Sequence, residues 1–296
     1  MKNKLTNKRI KRKKIIRTRQ EKIVLAVTTA IFIVYSLTLI YPFVWALFTS
    51  FKTQIEYRNN IYGLPEIWVF KNIGKALSTK GEGGTTLIGM FFNSVWSSFV
   101  CAFCGVFIST MTAYIITKYR FKGSKLFLPI ALILQALPLV GTMPAMVGVV
   151  KTLGMYDNPL LFWIVWCGGF GYSFVILCGY FKGVSWEYAE AAFIDGASHT
   201  AVFFKIMVPL AFPAIFSLFL VSFISAWNDY FTMSLYLPSY QTLAVGVYRW
   251  EKIAAQNGGT PVYMAALLLS VIPVMILYAC FQKTLMSTSL GGGIKE

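Results

Sequence analysis

Six stretches of this chain contain no Asp, Glu, Lys or Arg and are long enough to cross a lipid bilayer. They cover residues 23–51, 83–117, 126–150, 158–181, 206–228 and 253–282. A helix needs about 20 apolar residues to cross the hydrocarbon core. The chain is 57% hydrophobic and only 13% charged, whereas soluble domains carry about 25% charged residues. The sequence therefore predicts an all-α integral membrane protein with six transmembrane helices.

The predicted helices divide the chain into a membrane domain and two tails. We expect a basic tail over residues 1–22, a six-helix domain over 23–286 and a short tail over 287–296. A seventh uncharged window, residues 230–248, carries Pro238 and polar residues at its centre. Because proline interrupts regular structure, this window is interpreted as a loop or a re-entrant segment. The six spans are expected at 23–48, 87–117, 126–150, 159–181, 206–228 and 262–282.

The distribution of Lys and Arg predicts which ends of the spans face the cytoplasm. With six spans, both termini and the loops over 118–125 and 182–205 share one side, and they hold nineteen of the 27 Lys and Arg residues. Cytoplasmic segments carry an excess of these residues, so both termini are predicted to be cytoplasmic. The basic N-terminal tail is better explained by topology and by contact with anionic membrane lipid than by nucleic-acid binding.

A polar segment over residues 187–209 stands between the fourth and fifth spans. Glu187, Glu190 and Asp195 fall within nine residues here, between stretches that are nearly free of charge. This acidic segment is predicted to form a short helix, a break at Gly196 and a second helix that enters the fifth span. It cannot cross a bilayer, and the charge distribution places it on the cytoplasmic face.

The sequence lacks the residue clusters that catalysis requires. His199 is the single histidine, and there is no Walker A, HExxH or GxSxG pattern. Cys101 and Cys104 have the CxxC spacing but lie within an apolar span, so they are interpreted as packing residues. No span carries a charged residue at its centre, where ion-coupled transporters often keep one. We therefore expect a membrane protein that is not an enzyme, binds no cofactor or metal, and has no energy source of its own.

The spacing within the acidic segment resembles a known motif. Glu190-Ala191-Ala192 is followed after three residues by Gly196 and, nine residues later, by Ile206-x-Val208-Pro209. This resembles the EAA loop of MetI-like permeases of binding-protein-dependent ABC importers, in which Leu is usual at the position of Val208. The resemblance covers nearly the whole chain and points to the carbohydrate-uptake branch, in particular the smaller permease of maltose-type transporters. Short pieces that follow that branch in order are Tyr41-Pro42-Phe43, Asn93-Ser94, Trp227-Asn228-Asp229 and Leu290-Gly291-Gly292-Gly293.

This resemblance implies that the acidic segment couples the chain to an ATPase. Its carboxylates would accept hydrogen bonds from basic side chains, and its alanines would let a small helix enter a groove. Pro209 and Pro213 are candidate hinges that would pass the motion into the fifth span. The residues implied in the ATPase contact are Glu187, Glu190, Ala191, Ala192, Asp195, Gly196 and Ala197.

The resemblance also implies an assembly in the plasma membrane of a prokaryote. Its other members would be a second permease, two ATP-binding subunits that hold ATP and Mg²⁺, and an extracellular or periplasmic solute-binding protein. In the maltose-type family the sugar is held mainly by the other permease, so no sugar ligand is assigned to this chain. The alternatives are an importer of a non-sugar solute, a stand-alone channel or a secondary transporter. The residues expected to contact the binding protein are Tyr240, Thr242, Gly246 and Arg249.

Overall fold

A computed structural model describes residues 18–81, 84–119, 121–137, 142–257 and 259–291. Within these ranges the chain is helical, apart from turns and one isolated bridge between Lys80 and Thr86. The all-α prediction is confirmed for this part of the chain. Four of its helices are long and apolar enough to cross a membrane, namely Arg19–Ser50, Leu87–Lys118, His199–Asn228 and Thr260–Lys283.

The helices are numbered here in chain order. They are α1 (Arg19–Ser50), α2 (Gln54–Asn59), α3 (Lys71–Ser78), α4 (Leu87–Lys118), α5 (Ser124–Ala136), α6 (Thr142–Thr152), α7 (Tyr172–Gly183), α8 (Glu187–Ile194), α9 (His199–Val202), α10 (Val208–Asn228), α11 (Phe231–Tyr236), α12 (Leu243–Asn257) and α13 (Thr260–Gly291). A 3₁₀ turn covers Phe162–Trp166, and a π-helical turn covers Phe203–Met207. The uncharged window at 230–248 is interrupted, since α11 and α12 are separated by a turn.

The third and fourth predicted spans are broken, which corrects the expectation of one continuous helix in each. In the third window, α5 ends at Ala136 and Leu137 is extended, with φ −75° and ψ 124°. Leu137 precedes Pro138, and a residue before proline is disfavoured in the helical region. In the fourth window, a short 3₁₀ turn and a glycine-rich stretch precede α7. Non-helical backbone at membrane depth is tolerated only inside protein or beside water.

The two ends of the chain depart slightly from their predicted boundaries. Helix α1 begins at Arg19, four residues before the predicted start, because Thr18 and Glu21 form a reciprocal capping box. Residues 1–17 of the predicted basic tail lie outside the described residues. Helix α13 continues to Gly291, beyond the predicted end of the membrane domain, and residues 292–296 also lie outside the described part.

Helix α4 packs against α7 and α10 and spans the molecule from end to end. Its 32 residues correspond to a length of about 48 Å. At its first turns, the Asn93 side chain donates a 2.9 Å hydrogen bond to the carbonyl oxygen of Gln241. Just beyond its last turn, the Tyr119 hydroxyl lies 2.8 Å from His199 Nδ1. The acidic segment and the 230–252 segment therefore lie at opposite ends of α4.

The other long helices alternate in direction around α4. Ala266 in the first two turns of α13 and Trp227 at the end of α10 pack in one cluster with Leu87 at the start of α4. The Asn72 side chain of α3 donates a 2.8 Å hydrogen bond to the carbonyl oxygen of Ser50, the last residue of α1. The beginning of α1 and the far end of α13 consequently lie at the same end of the molecule as the acidic segment.

We expect these two ends to lie on opposite faces of the membrane. A cysteine that replaces exposed Tyr240 should react with a membrane-impermeant maleimide in intact cells. A cysteine that replaces Ile194, which is 86% exposed, should react only after the membrane is permeabilised. The unaltered chain, with its five native cysteines, measures the background. Labelling of both positions from outside would contradict this arrangement.

Candidate functional site

The acidic segment folds as two short helices joined at a glycine, as predicted. Helix α8 ends at Ile194, and Gly196 adopts a φ of +81°. A side chain is strained in this left-handed region, so glycine is the residue that fits the turn. The Ser198 hydroxyl then caps α9 by accepting a hydrogen bond from the Ala201 amide. The turn lets the chain reverse without leaving the end of the molecule.

Helix α8 has one face against the protein and one face open. On the inner side, Ala189 is fully buried, and Ala192 and Phe193 pack partly against the core formed by α4, α7 and α10. On the outer side, Ile194 is 86% exposed although it is apolar. The remaining exposed residues of the helix are Glu187, Tyr188, Glu190 and Ala191. An exposed mixture of acids and apolar side chains on one short helix suits contact with another protein.

The structure divides the residues predicted to contact an ATPase into two groups. Ala192 and Ala197 are half-buried and pack against the core of this chain. Because both face the core, a contact between α8 and an ATPase would be made by the other residues of the set. The exposed members are Glu187, Glu190, Ala191, Asp195 and Gly196.

An aromatic cluster beneath α8 was not identified from the sequence. The hydroxyl of Tyr119 lies 2.8 Å from Nδ1 of His199, and the rings of Phe193 and His199 are 4.8 Å apart. The ring of Trp186, just before α8, packs edge-on against Tyr119 at 5.8 Å. Tyr119 and His199 are 80 residues apart in the chain, so no local pattern could have indicated their contact.

Besides the contact between Tyr119 and His199, a hydrogen bond links the end of α4 to the residues that precede α8. The ammonium group of Lys118 donates a hydrogen bond to the carbonyl oxygen of Val184. Together with the Tyr119–His199 contact, it attaches both sides of the acidic segment to one helix end. Helix α8 is therefore held at a defined position below α4.

The connection from α9 into α10 is a π-helical turn over Phe203–Met207. The Val208 amide donates to the carbonyl oxygen of Phe203, five residues earlier, and the helix continues without a break from His199 to Asn228. Such turns occur frequently at functional sites. The candidate hinges Pro209 and Pro213 lie in the first two turns of α10, directly after this π turn. Their role as hinges stays a prediction.

The four residues predicted to contact a binding protein are not equally accessible. Thr242 is buried, and so is Gly246, where a Cβ atom would lie 2.2 Å from the sulfur of Met90. Arg249 donates a 3.2 Å hydrogen bond to the Ser234 hydroxyl. Tyr240 lies exposed beside the turn between α11 and α12. Of this set, Tyr240 is the residue best placed to meet another protein.

The turn that carries Tyr240 is supported by a carboxylate that sequence reasoning did not single out. Asp157 accepts hydrogen bonds from the Ser239 hydroxyl at 2.6 Å and from the Ser239 amide at 3.0 Å. The amide of Asp157 in turn donates to the carbonyl oxygen of Tyr236 at 2.8 Å. These bonds hold the turn against the loop after α6, so it presents a defined surface.

Comparison with known proteins identifies the family. Residues 105–287, which include the whole acidic segment, match the family described as Binding-protein-dependent transport system inner membrane component. The chain belongs to this family. It is a permease subunit of the ABC importer type, and it is a multi-pass membrane protein.

Related proteins match this permease over most of its length. An inner membrane ABC transporter permease of Escherichia coli is 29% identical over 285 residues, covering 90% of this chain and 94% of that protein. The sulfoquinovosyl glycerol transport system permease of Agrobacterium fabrum is 27% identical over 261 residues, covering 86% and 89%. The galactooligosaccharides transport system permease of Bacillus subtilis is 27% identical over 260 residues, covering 87% and 90%.

A solved structure shows the same fold. It is a chain of a bacterial ABC transporter involved in the import of the acidic polysaccharide alginate. The TM-score is 0.77 at 22% sequence identity, and the match covers 91% of this permease and 99% of that chain. The likeness establishes a MetI-like permease fold for the arrangement described above.

The exposure pattern of α8 predicts which positions an ATPase subunit touches. In membranes that hold the complete transporter, a cysteine replacing Ile194 and carrying a photoreactive maleimide should cross-link to an ATPase subunit. A cysteine replacing Ala189, which is fully buried, is the matched control and should give no more than the background of the unaltered chain. Equal cross-linking from both positions, or none from position 194, would contradict the assigned face.

Proposed function

We propose that this permease carries a sugar or oligosaccharide and forms half of the translocation path of an ATP-driven importer. A second permease would supply the other half, and two ATP-binding subunits would hold ATP and Mg²⁺. A solute-binding protein outside the membrane would deliver the cargo. The observation that carries the coupling part of this proposal is the open face of α8, which the Gly196 turn joins to the helix that continues into the fifth span.

The open face of α8 supports an ATPase contact on chemical grounds. Glu187, Glu190 and Asp195 are exposed acceptors at one end of the molecule, and charge-assisted hydrogen bonds to basic side chains are stronger than neutral ones. Exposed Ile194 and Ala191 offer apolar area beside these acids. A partner surface with basic residues around a shallow groove would complement both features.

The helical connection supports the transmission of motion. When ATP binding brings the two ATPase subunits together, each would push the coupling helix that it holds. Because α9, the π turn and α10 form one continuous helix, a displacement of α8 that is passed across the Gly196 turn would reach the fifth span through that helix. The hydrogen bonds of Lys118 with Val184 and of Tyr119 with His199 would pass the same displacement to α4.

We propose that six segments cross the membrane and that both termini and the acidic segment are cytoplasmic. Helices α1, α4, α10 and α13 supply four crossings, and the broken third and fourth windows supply the remaining two as interrupted segments. The excess of Lys and Arg at the α8 end supports this orientation. The exposed turn around Tyr240 would then face the binding protein on the opposite side.

The cargo is inferred from the relatives and from the absence of charge. Relatives of this chain are permeases of transport systems for sulfoquinovosyl glycerol, diacetylchitobiose and galactooligosaccharides. The six predicted spans of this chain contain no Asp, Glu, Lys or Arg, so they offer no fixed partner for the charges of an amino acid. A non-sugar solute is the alternative, and a direct uptake measurement separates the two.

The proposed cargo can be tested with purified components. The permease, its second permease, the ATPase and the binding protein would be purified and the membrane complex placed in lipid vesicles. We expect ATP-dependent uptake of at least one of maltose, trehalose and diacetylchitobiose, and no uptake of leucine or trialanine. Uptake of the amino acid or peptide in place of every sugar would reject the proposed cargo while leaving the importer assignment intact.

Charge reversal at Glu190 tests the coupling role. In Glu190→Lys, an exposed acceptor becomes a cation that faces basic partner groups, so binding-protein-stimulated ATP hydrolysis and uptake should both fall by at least about tenfold. Insertion into the membrane should be unchanged because the residue is exposed.

The matched control for this change is Glu66→Lys, which reverses an exposed acid at the other end of the molecule, outside the residues expected to contact the binding protein. Its ATP hydrolysis should stay within about twofold of the unaltered complex, since surface charges contribute little by themselves. Normal uptake in Glu190→Lys would refute the contact assigned to α8.

A further inference from the structure

A cavity of about 260 Å³ lies between α4, α7 and α10, bordered by the 3₁₀ turn before α7. Its volume is close to the lower limit of about 300 Å³ for ligand pockets. Small residues of α4, such as Gly105 and Ala102, form its floor. The polar and aromatic residues that line it are Ser109, Trp166, Tyr172, Ser173, Ser222 and Ser225.

Several hydroxyl groups elsewhere in the described spans are bonded within their own helix, although the buried hydroxyls of Ser98 and Thr49 have no partner. The Thr110 hydroxyl donates to the Val106 carbonyl at 2.7 Å, and the Ser97 hydroxyl donates to the Asn93 carbonyl at 2.6 Å. Such bonds to the preceding turn are the usual way in which a membrane helix satisfies a hydroxyl. Among the residues that the structure describes, the four cavity serines have no hydrogen-bond partner for their hydroxyls: Ser109, Ser173, Ser222 and Ser225.

The indole N–H of Trp166 is a second kind of polar group without a hydrogen-bond partner. Its Nε1 atom is buried and has no hydrogen-bond partner in the described part of the chain. A buried N–H without an acceptor is unfavourable. Because Trp166 also borders the cavity, a rotation of its indole would bring this donor beside the serines, whose hydroxyls both donate and accept.

The lining also indicates the chemical class of a ligand. None of the described residues that border the cavity is charged, so a zwitterion or an ion would leave its charge without a partner. Aromatic surface is present in Trp166 and in Tyr172, which is 63% exposed. A pyranose ring has hydroxyls at its edge and apolar C–H groups on its faces, and it matches free hydroxyls beside aromatic rings.

We propose that this cavity is a subsite for one neutral sugar unit in transit through the membrane. The proposal rests on the function inferred above, since it requires that the importer carries a saccharide. It goes further in assigning sugar contact to this subunit, whereas the family resemblance places the sugar mainly on the other permease. Ser222 and Ser225, one helical turn apart on α10, would hold ring hydroxyls, and Trp166 would donate its indole N–H.

The test uses the complete transporter in lipid vesicles with its binding protein. The probe is whichever of maltose, trehalose and diacetylchitobiose the unaltered complex imports. In the double variant Ser222→Ala/Ser225→Ala, the sugar imported per ATP hydrolysed should fall about fivefold, because two neutral hydrogen bonds to the sugar are lost. Trp166→Phe keeps a large ring and removes the N–H, and it should lower the same ratio.

Ser97→Ala is the matched control, because its hydroxyl is already bonded within α4. Its ratio of sugar to ATP should equal that of the unaltered complex. In the cavity variants, ATP hydrolysis stimulated by the binding protein should persist, which separates a sugar contact from a coupling defect.

Three results would overturn the subsite. An unchanged ratio in both cavity variants would show that the groups do not touch the sugar. Joint loss of ATP hydrolysis and of the second permease from the purified complex would show that the serines pack against that subunit. Stimulated ATP hydrolysis without import of any of the three sugars by the unaltered complex would reject the proposed cargo itself, and the subsite with it.

Discussion

A lipid bilayer offers no hydrogen-bond partners, so every polar group of a spanning chain must be satisfied within the protein or by what the protein encloses. This requirement produces the long helices and explains why hydroxyls such as those of Ser97 and Thr110 bond to the preceding turn. It also restricts the breaks in the third and fourth windows to positions that other protein or water can cover. The unbonded hydroxyls between α4, α7 and α10 border a cavity that a ligand can enter, and they motivate the proposed subsite.

The acidic segment leads through a turn at Gly196 into one continuous helix that includes the fifth span. Helix α8 rests on the buried side chain of Ala189 and on the aromatic cluster around Tyr119 and His199. Gly196 turns the chain, and a π turn joins α9 to α10 without interrupting the helix. A rigid support of this kind is needed if a displacement at the outer face of α8 is to reach the far end of α10 instead of being absorbed locally.

Local chemistry made much of this arrangement predictable. The four long helices follow from uncharged apolar windows, and the break at Gly196 follows from the residue that best tolerates a positive φ. The single-helix prediction failed for the third window because the effect of Pro138 on Leu137 was not weighed in placing the span. The predicted contacts with a binding protein stay predictions, but Thr242 and Gly246 face inward against neighbouring helices. A sequence shows which residues are polar or small, but it does not show what lies beside them.

The sequence by itself determined that this is a membrane protein, where its polar segment lies along the chain, and that the spacing of this segment resembles the EAA loop. Hydropathy, charge and glycine conformation act locally, so they can be read along the chain. Only the tertiary structure decided that Ile194 faces outward while Ala192 packs inward, and that Tyr119 meets His199 across 80 residues. It also decided that four serines from α4, α7 and α10 line one cavity. These properties depend on which helices become neighbours, and that is settled by packing in three dimensions.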